Sequence, residues 1–211
     1  MTDLLRLTDH PSATAPEPFA GPDHPMRLLT RSKAFGEPFT AEDSARVQQI
    51  FDSMAADWSE AHVDPTKAAP VGDALERGGV PAEGDWLEVG SGTGAGARVL
   101  AERVGSLVCT DLAEEMLRHA RDLAPRVRSD ASRLPFGSDR FDAVLLINML
   151  LFPREVDRVL RPDGVVVWVN TLGDQTPIHL PPEDVLAALP GTWTGTTAHA
   201  GTGFWLVARR S

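Results

Sequence analysis

Nine residues carry the strongest chemical signal in this 211-residue chain: Trp86-Leu87-Glu88-Val89-Gly90-Ser91-Gly92-Thr93-Gly94. An apolar run ends behind an acid, glycines follow at every second position, and a helical pattern begins at Ala95. Glycine has no side chain to hold a ligand away, so a strand feeding such a turn lets the backbone approach a nucleotide-type cofactor. A second acid, Asp111, lies nineteen residues beyond Gly92, about where a ribose-binding carboxylate belongs in a dinucleotide site. A third, Asp130, precedes Ala131 and the Leu134-Pro135-Phe136 run. On the glycines and Asp111 alone, an NAD-type oxidoreductase stays open, because Gly90-x-Gly92-x-x-Ala95 fits the loose dinucleotide pattern.

The elements needed to hold these residues are legible as alternating strands and helices from Asp85 onward. Strands are expected over Trp86–Val89, Leu107–Thr110, Arg126–Ser129, Phe141–Ile147 and Val165–Val169, and helices over Ala95–Val104, Ala113–Ala124, Glu155–Leu160 and Pro182–Leu189. In the helix over 113–124, Met116, Leu117, Ala120 and Leu123 form the inward stripe. Trp193–Ala200 and Gly203–Ala208 read as a closing antiparallel hairpin. This order predicts an α/β fold: a Rossmann-like, doubly wound, mostly parallel seven-stranded sheet with a C-terminal antiparallel hairpin, its ligand beyond the carboxyl ends of the strands.

Three segments are expected. Residues 1–40, with prolines at 11, 16, 18, 22, 25 and 38, read as an extended arm with one short apolar piece around Met26–Leu29, a disordered tail being the alternative. Residues 41–80 read as a helical lid. Thr40 and Asp43 form a cap, Val47, Ile50, Phe51, Met54 and Trp58 recur at helical spacing, and a second helix over Pro65–Arg77 stops at Gly78-Gly79. Residues 81–211 read as the cofactor-binding core.

Composition narrows the function. A formal net charge of −10 opposes binding to a phosphate backbone, so no nucleic-acid partner is expected. A single cysteine, Cys109, sits in an apolar run and reads as a buried structural thiol. There is no tyrosine to serve as acid or base. No stretch is long enough to span a bilayer, and no apolar signal core opens the chain, so no membrane partner and a cytoplasmic location are expected. No close cluster of ligating side chains predicts a metal.

Taken together, the motifs resemble the class I S-adenosylmethionine-dependent methyltransferases, in particular the small-molecule branch related to the menaquinone and ubiquinone C-methyltransferases. Glu88-x-Gly90-x-Gly92-x-Gly94 is similar to that family's first motif, Cys109-Thr110-Asp111-Leu112-Ala113-Glu114-Glu115-Met116-Leu117 to its second, Asp130-Ala131-x-x-Leu134-Pro135-Phe136 to its third and Phe141-Asp142-Ala143-Val144-Leu145 to its fourth. Arg158-Val159-Leu160-Arg161-Pro162-Asp163-Gly164 resembles the lead into strand five, with Asp163 where glycine is usual. The resemblance runs from about Phe51 to the C-terminus.

It implies S-adenosylmethionine as cofactor and methyl transfer to an oxygen, nitrogen or carbon of a small molecule. The cofactor site implied comprises Trp58, Glu88, Gly90, Ser91, Gly92, Gly94, Asp111, Leu112, Met116, Asp130, Ala131, Asn148 and Met149. Among these, Asp111 would accept from both ribose hydroxyls and Asp130 from the adenine amino group. The Ala131 N–H would donate to a ring nitrogen, Leu112 and Met116 would cover the base, Asn148 and Met149 would lie near the sulfonium, and Trp58 would cap the methionine end. Of six histidines, His179 after strand five is the candidate base, and His62 sits where a lid would close.

The loop from Asn148 to Arg158 and the stretch from Thr171 to Pro181 are short for this family. Residues 1–63 are therefore expected to roof the pocket, with Phe35, Phe39, Phe51, Met54 and Trp58 as its apolar lining. A monomer or a homodimer closed through the same helix are both open. So is a methyltransferase-like fold that binds a partner without turnover.

Overall fold

A computed structural model of the chain describes residues 3–61, 65–120 and 124–211. His62, Val63 and Leu123 lie outside the described residues. The elements run β1 (Asp3–Arg6), α1 (Pro25–Ala34), α2 (Ala41–Ala61), α3 (Pro65–Arg77), β2 (Asp85–Val89), α4 (Ala95–Leu100), β3 (Ser106–Asp111) and α5 (Glu114–His119). They continue with β4 (Arg126–Arg128), β5 (Phe141–Ile147), α6 (Pro153–Val159), β6 (Leu160–Asn170), α7 (Pro182–Ala188), β7 (Trp193–Ala200) and β8 (Gly203–Arg210).

These strands form one sheet in the order β1-β7-β8-β6-β5-β2-β3-β4. Pairing is parallel from β6 through β4, and β8 runs antiparallel to both β6 and β7. The doubly wound sheet and its closing hairpin are as expected, but among the described residues the sheet has eight strands rather than seven. The extra one is β1, whose residues 3–6 pair in parallel with Thr194–Thr197 at the sheet edge. The arm is therefore not extended throughout: it contributes β1 and the ten-residue helix α1. His24 caps α1 through its Nδ1, which accepts from the Met26 N–H at 3.2 Å.

Strand chemistry explains the layering. In a parallel sheet covered on both faces, alternate side chains must all be apolar. On β5, Val144 and Leu146 enter one core with Leu87, Val89, Trp168 and the buried faces of α6 and α7. Ala143 and Leu145 enter the other with Trp86, Leu107, Val167 and residues of α3 and α4. Trp86, Trp168 and Trp205 are fully buried. Burying side chains of this kind is worth roughly 1.5–3 kcal/mol each, which makes the sheet a rigid base for whatever its ends carry.

The lid helix begins as its sequence dictates. Thr40 Oγ1 accepts from the Asp43 N–H at 3.1 Å while Asp43 accepts from the Thr40 N–H at 3.0 Å, a reciprocal cap. The Thr40 N–H bond, the adjacent Lys33 ammonium 2.9 Å away and the Thr40 hydroxyl hold the Asp43 carboxyl below its ordinary range against the opposing effect of burial. Helix α3 ends where Gly79 turns left-handed at φ +67°. Among the described residues, no helix is long and apolar enough to cross a membrane.

Candidate functional site

The carboxyl ends of β2, β3, β4 and β5 open into one pocket, and α2 lies across it. Its walls include Glu88, Gly90, Ser91, Gly92, Asp111, Leu112, Met116, Asp130, Ala131, Asn148 and Met149 from the sheet side and Trp58 from α2. Twelve of the thirteen residues implied for the cofactor thus come together. The exception is Gly94, which begins α4 from the left-handed region at φ +85° and stands behind the wall.

The turn after β2 is held from below. The N–H groups of Gly90 and Ser91 both donate to the Thr110 carbonyl, at 2.8 and 2.9 Å, and the Gly92 N–H donates to Asp111 Oδ2 at 2.7 Å. A side chain at Gly90 would meet the sulfur of Met149, and one at Gly92 would approach the Trp58 indole nitrogen and Met116. Gly90 therefore leaves Met149 its place, while Gly92 supplies the left-handed backbone, φ +53°, that the turn takes.

Asp111 is clamped on both oxygens, since Oδ1 accepts from the Ala113 N–H at 2.8 Å. Burial pushes its carboxyl above the ordinary range, opposed by N–H bonds from Ala113, Gly92 and Leu112, and Asp52 nearby adds to the rise. Asp130 likewise accepts from the Ser132 N–H at 2.8 Å, so it does cap a turn, but its other oxygen accepts from the Ser44 hydroxyl of α2 at 3.3 Å. Asn148 has a left-handed backbone at φ +47°, tolerable for asparagine, and its amide exchanges two bonds with Thr171, tying the end of β5 to the end of β6.

Glu88 is only 1% exposed and points at the start of α4. Burial pushes its pKa up to about 8, against hydrogen bonds from Cys109 and from the Ala97 and Gly96 N–H groups. A side chain at Gly96 would collide with this carboxyl, so Gly96 is what lets it reach the helix. Cys109 is buried, its thiol pushed up by burial and by Glu88, as a structural thiol should be.

Opposite the turn the wall is apolar: Phe39, Phe51, Leu150, Phe152 and Ile178. Phe39 meets Phe152 edge-on at 5.1 Å, and Phe51 meets Trp58 edge-on at 6.1 Å. Phe35 and Met54, expected here, are 48% and 38% exposed and do not line the pocket. Phe35 instead stacks under the Arg31 guanidinium at 5.0 Å.

His179 is a further correction. Its neighbour Ile178 faces the pocket, whereas the His179 ring lies in a separate hollow with His199 and Phe204. There its Nδ1 is 3.1 Å from the Gly173 carbonyl, and burial holds its pKa below the usual value, with Arg27 adding to the effect. The ring is thus among the residues of that hollow and not among those lining the pocket with Met149.

Sequence reasoning missed Ser44, Gln48, Ser129, Phe152 and Ile178. The spacing Ser44-x3-Gln48-x3-Asp52 was the available signal. It draws a polar stripe along α2 next to the apolar one, and the stripe faces protein rather than water.

Two of the pocket's side-chain hydroxyls, those of Ser91 and Ser129, lack a partner among the described residues, as does that of nearby Thr93. All three are buried and lie in or beside the turn and the end of β4.

The chain is similar to known proteins. A family model described as a methyltransferase domain matches residues 87–168. The biotin biosynthesis bifunctional protein BioHC of Cellvibrio japonicus is 32% identical over 172 residues, covering 74% of this chain and 33% of that protein. The ubiquinone/menaquinone biosynthesis C-methyltransferase UbiE of Bordetella parapertussis is 35% identical over 148 residues, covering 59% of this chain and 56% of that protein. The chain thus spans between a third and a little over half of the length of these curated relatives. Among solved structures, a SAM-dependent methyltransferase from Aquifex aeolicus shares the fold with a TM-score of 0.62 at 18% identity, covering 74% of this chain and 98% of that one.

Proposed function

We propose that this chain, whose residues 87–168 match a methyltransferase domain, is a class I S-adenosylmethionine-dependent methyltransferase that moves a methyl group from S-adenosylmethionine to a nucleophilic oxygen, nitrogen or carbon of a small, partly apolar molecule. The observation that carries this reading is the convergence of the glycine turn, Asp111 and Asp130 on one pocket whose buried Ser91 and Ser129 hydroxyls lack a protein partner. Buried polar groups are nearly always satisfied, so such orphans mark a place for a ligand's polar atoms.

The residues fit that cofactor. Asp111 and Asp130, at the ends of adjacent strands, would hold ribose and adenine, with Leu112 and Met116 against the base. Gly90 and Gly92 would admit the methionine portion beneath Trp58, and Asn148 and Met149 would lie beside the sulfur. When bound, the cofactor supplies a methyl group already activated on a sulfonium. What the protein contributes is alignment and exclusion of water, and the apolar wall of Phe39, Leu150, Phe152 and Ile178 serves both.

A dinucleotide fits less well. Its diphosphate needs the free N–H groups of the first helix, and here Glu88 accepts from Gly96 and Ala97. S-adenosylhomocysteine is therefore expected to bind in calorimetry and raise the melting temperature, while NAD does neither. With S-adenosylmethionine and a panel of apolar acceptors, methylated product is expected by mass spectrometry. Absence of S-adenosylhomocysteine binding would overturn the reading.

A further inference from the structure

Three polar residues of α2 stand at successive helical turns over the pocket: Ser44, Gln48 and Asp52. Each is engaged, and the engagements reach both halves of the wall assigned above to the nucleoside. Asp52 Oδ1 accepts from the Glu115 N–H at 2.9 Å. It thereby caps α5 from another helix, since α5's own N-cap residue, Ala113, has no side-chain oxygen to offer. Gln48 lines the pocket with its amide nitrogen on Asp52 Oδ2 at 3.1 Å. Ser44 sits at the other end, its hydroxyl donating to Asp130 Oδ2.

Asp130 is thus held from two directions. The Ser132 N–H fixes one oxygen from the strand end, and Ser44 fixes the other from α2. A carboxylate pinned at both oxygens cannot rotate, and it keeps a fixed acceptor edge toward the pocket that it lines. A fixed carboxylate accepts from an amino group on a purine ring and repels a ring oxygen in the same place.

We propose that Ser44 is a positioning residue for base selection: by holding Asp130 from α2, it makes the pocket read a 6-amino purine and reject a 6-oxo one, so that the docking of α2 and the identity of the base are coupled. This rests on the cofactor assignment above. Ser44 touches no ligand; it acts through Asp130. Without the hydroxyl, Asp130 can swing about its remaining bond, the amino group loses a fixed acceptor, and the oxo base meets less repulsion.

The test compares S-adenosylhomocysteine with its 6-oxo analogue, S-inosylhomocysteine, by titration calorimetry on the full chain. Wild type is expected to prefer the adenosyl compound by about tenfold or more, the scale of one charge-assisted hydrogen bond. Ser44→Ala, which favours helix and leaves the fold intact, is expected to weaken the adenosyl compound about five- to tenfold while the inosyl compound stays within about twofold, so the ratio collapses. Ser44→Thr keeps the hydroxyl and is expected to keep the ratio. A merely structural tie would weaken both ligands equally. Equal weakening, no weakening, or a wild type without preference would each overturn the role of Ser44. A wild type that binds neither compound would overturn the cofactor assignment itself.

Discussion

Two parts of the sheet's carboxyl edge have similar polar composition and opposite hydrogen-bonding states. At the end of β6 the side chains of Asn170, Thr176 and Thr202 are spent internally. Asn170 is fully buried, donates to the carbonyls of Ile178 and Val169 and accepts from the Leu180 N–H. Thr176 accepts from the Leu172 N–H, and Thr202 donates to the Thr171 carbonyl. At the ends of β2 and β4, Ser91, Thr93 and Ser129 are buried with their hydroxyls unspent. The first region is a closed network that fixes the loop carrying Ile178 and His179. The second is an incomplete one, and incompleteness at a rigid strand end marks a binding site more reliably than the presence of a reactive residue type.

Crossed substitutions test that contrast. Asn170→Ala strips three bonds from a buried loop and is expected to lower unfolding free energy by about 3 kcal/mol in denaturant titrations, with S-adenosylhomocysteine affinity unchanged in calorimetry. Asp111→Ala should act on binding instead and weaken that ligand by roughly 1–3 kcal/mol. If the two variants show the same profile, the division between closed and open networks fails.

Glu88 sharpens the open side through pH. Its pKa of about 8 in the folded chain exceeds the ordinary 4.5, so the folded state holds a proton that the unfolded state has released between those values. Stability should therefore be greatest below pH 4.5 as far as this group is concerned and should fall as pH rises to about 8, by up to about 1.4 kcal/mol per unit. Glu88→Gln is expected to flatten that slope in melts across the same range.

Ser91→Ala should leave the ligand-free protein as stable as before, because the hydroxyl it removes has no protein partner, and should cost about 0.5–1.5 kcal/mol of S-adenosylhomocysteine affinity. His179→Ala should do least: initial rates of methyl transfer within about twofold of wild type, well under the loss typical of a removed general base. A large loss of rate would return His179 to the site.

The parts legible in the sequence were those set by local rules. Continuous apolar runs gave β2, β5 and β6, and the glycines between β2 and α4 marked the turn before any contact was known. Asp111 and Asp130 were legible because each ends or follows a strand. What tertiary contact decides was hidden. Ser44 and Asp52 look like solvated positions on an amphipathic helix until α5 and Asp130 are placed against them. Strand β1 was missed because Asp3–Arg6 shows no alternation; the free edge of β7 recruits it. His179 was misplaced because its loop bends at Pro177 and Ile178: Ile178 lines the pocket, whereas the His179 ring turns to the Gly173 carbonyl and Phe204.

That recruited strand has a kinetic corollary. Asp3 pairs beside Thr194, and Thr194 pairs with Arg209, so β1 has no strand neighbour until a hairpin far along the chain has formed. Pairings across such sequence separations form slowly. While the chain folds, β1 must therefore stay unpaired until β7 is in place, so this edge of the sheet closes late.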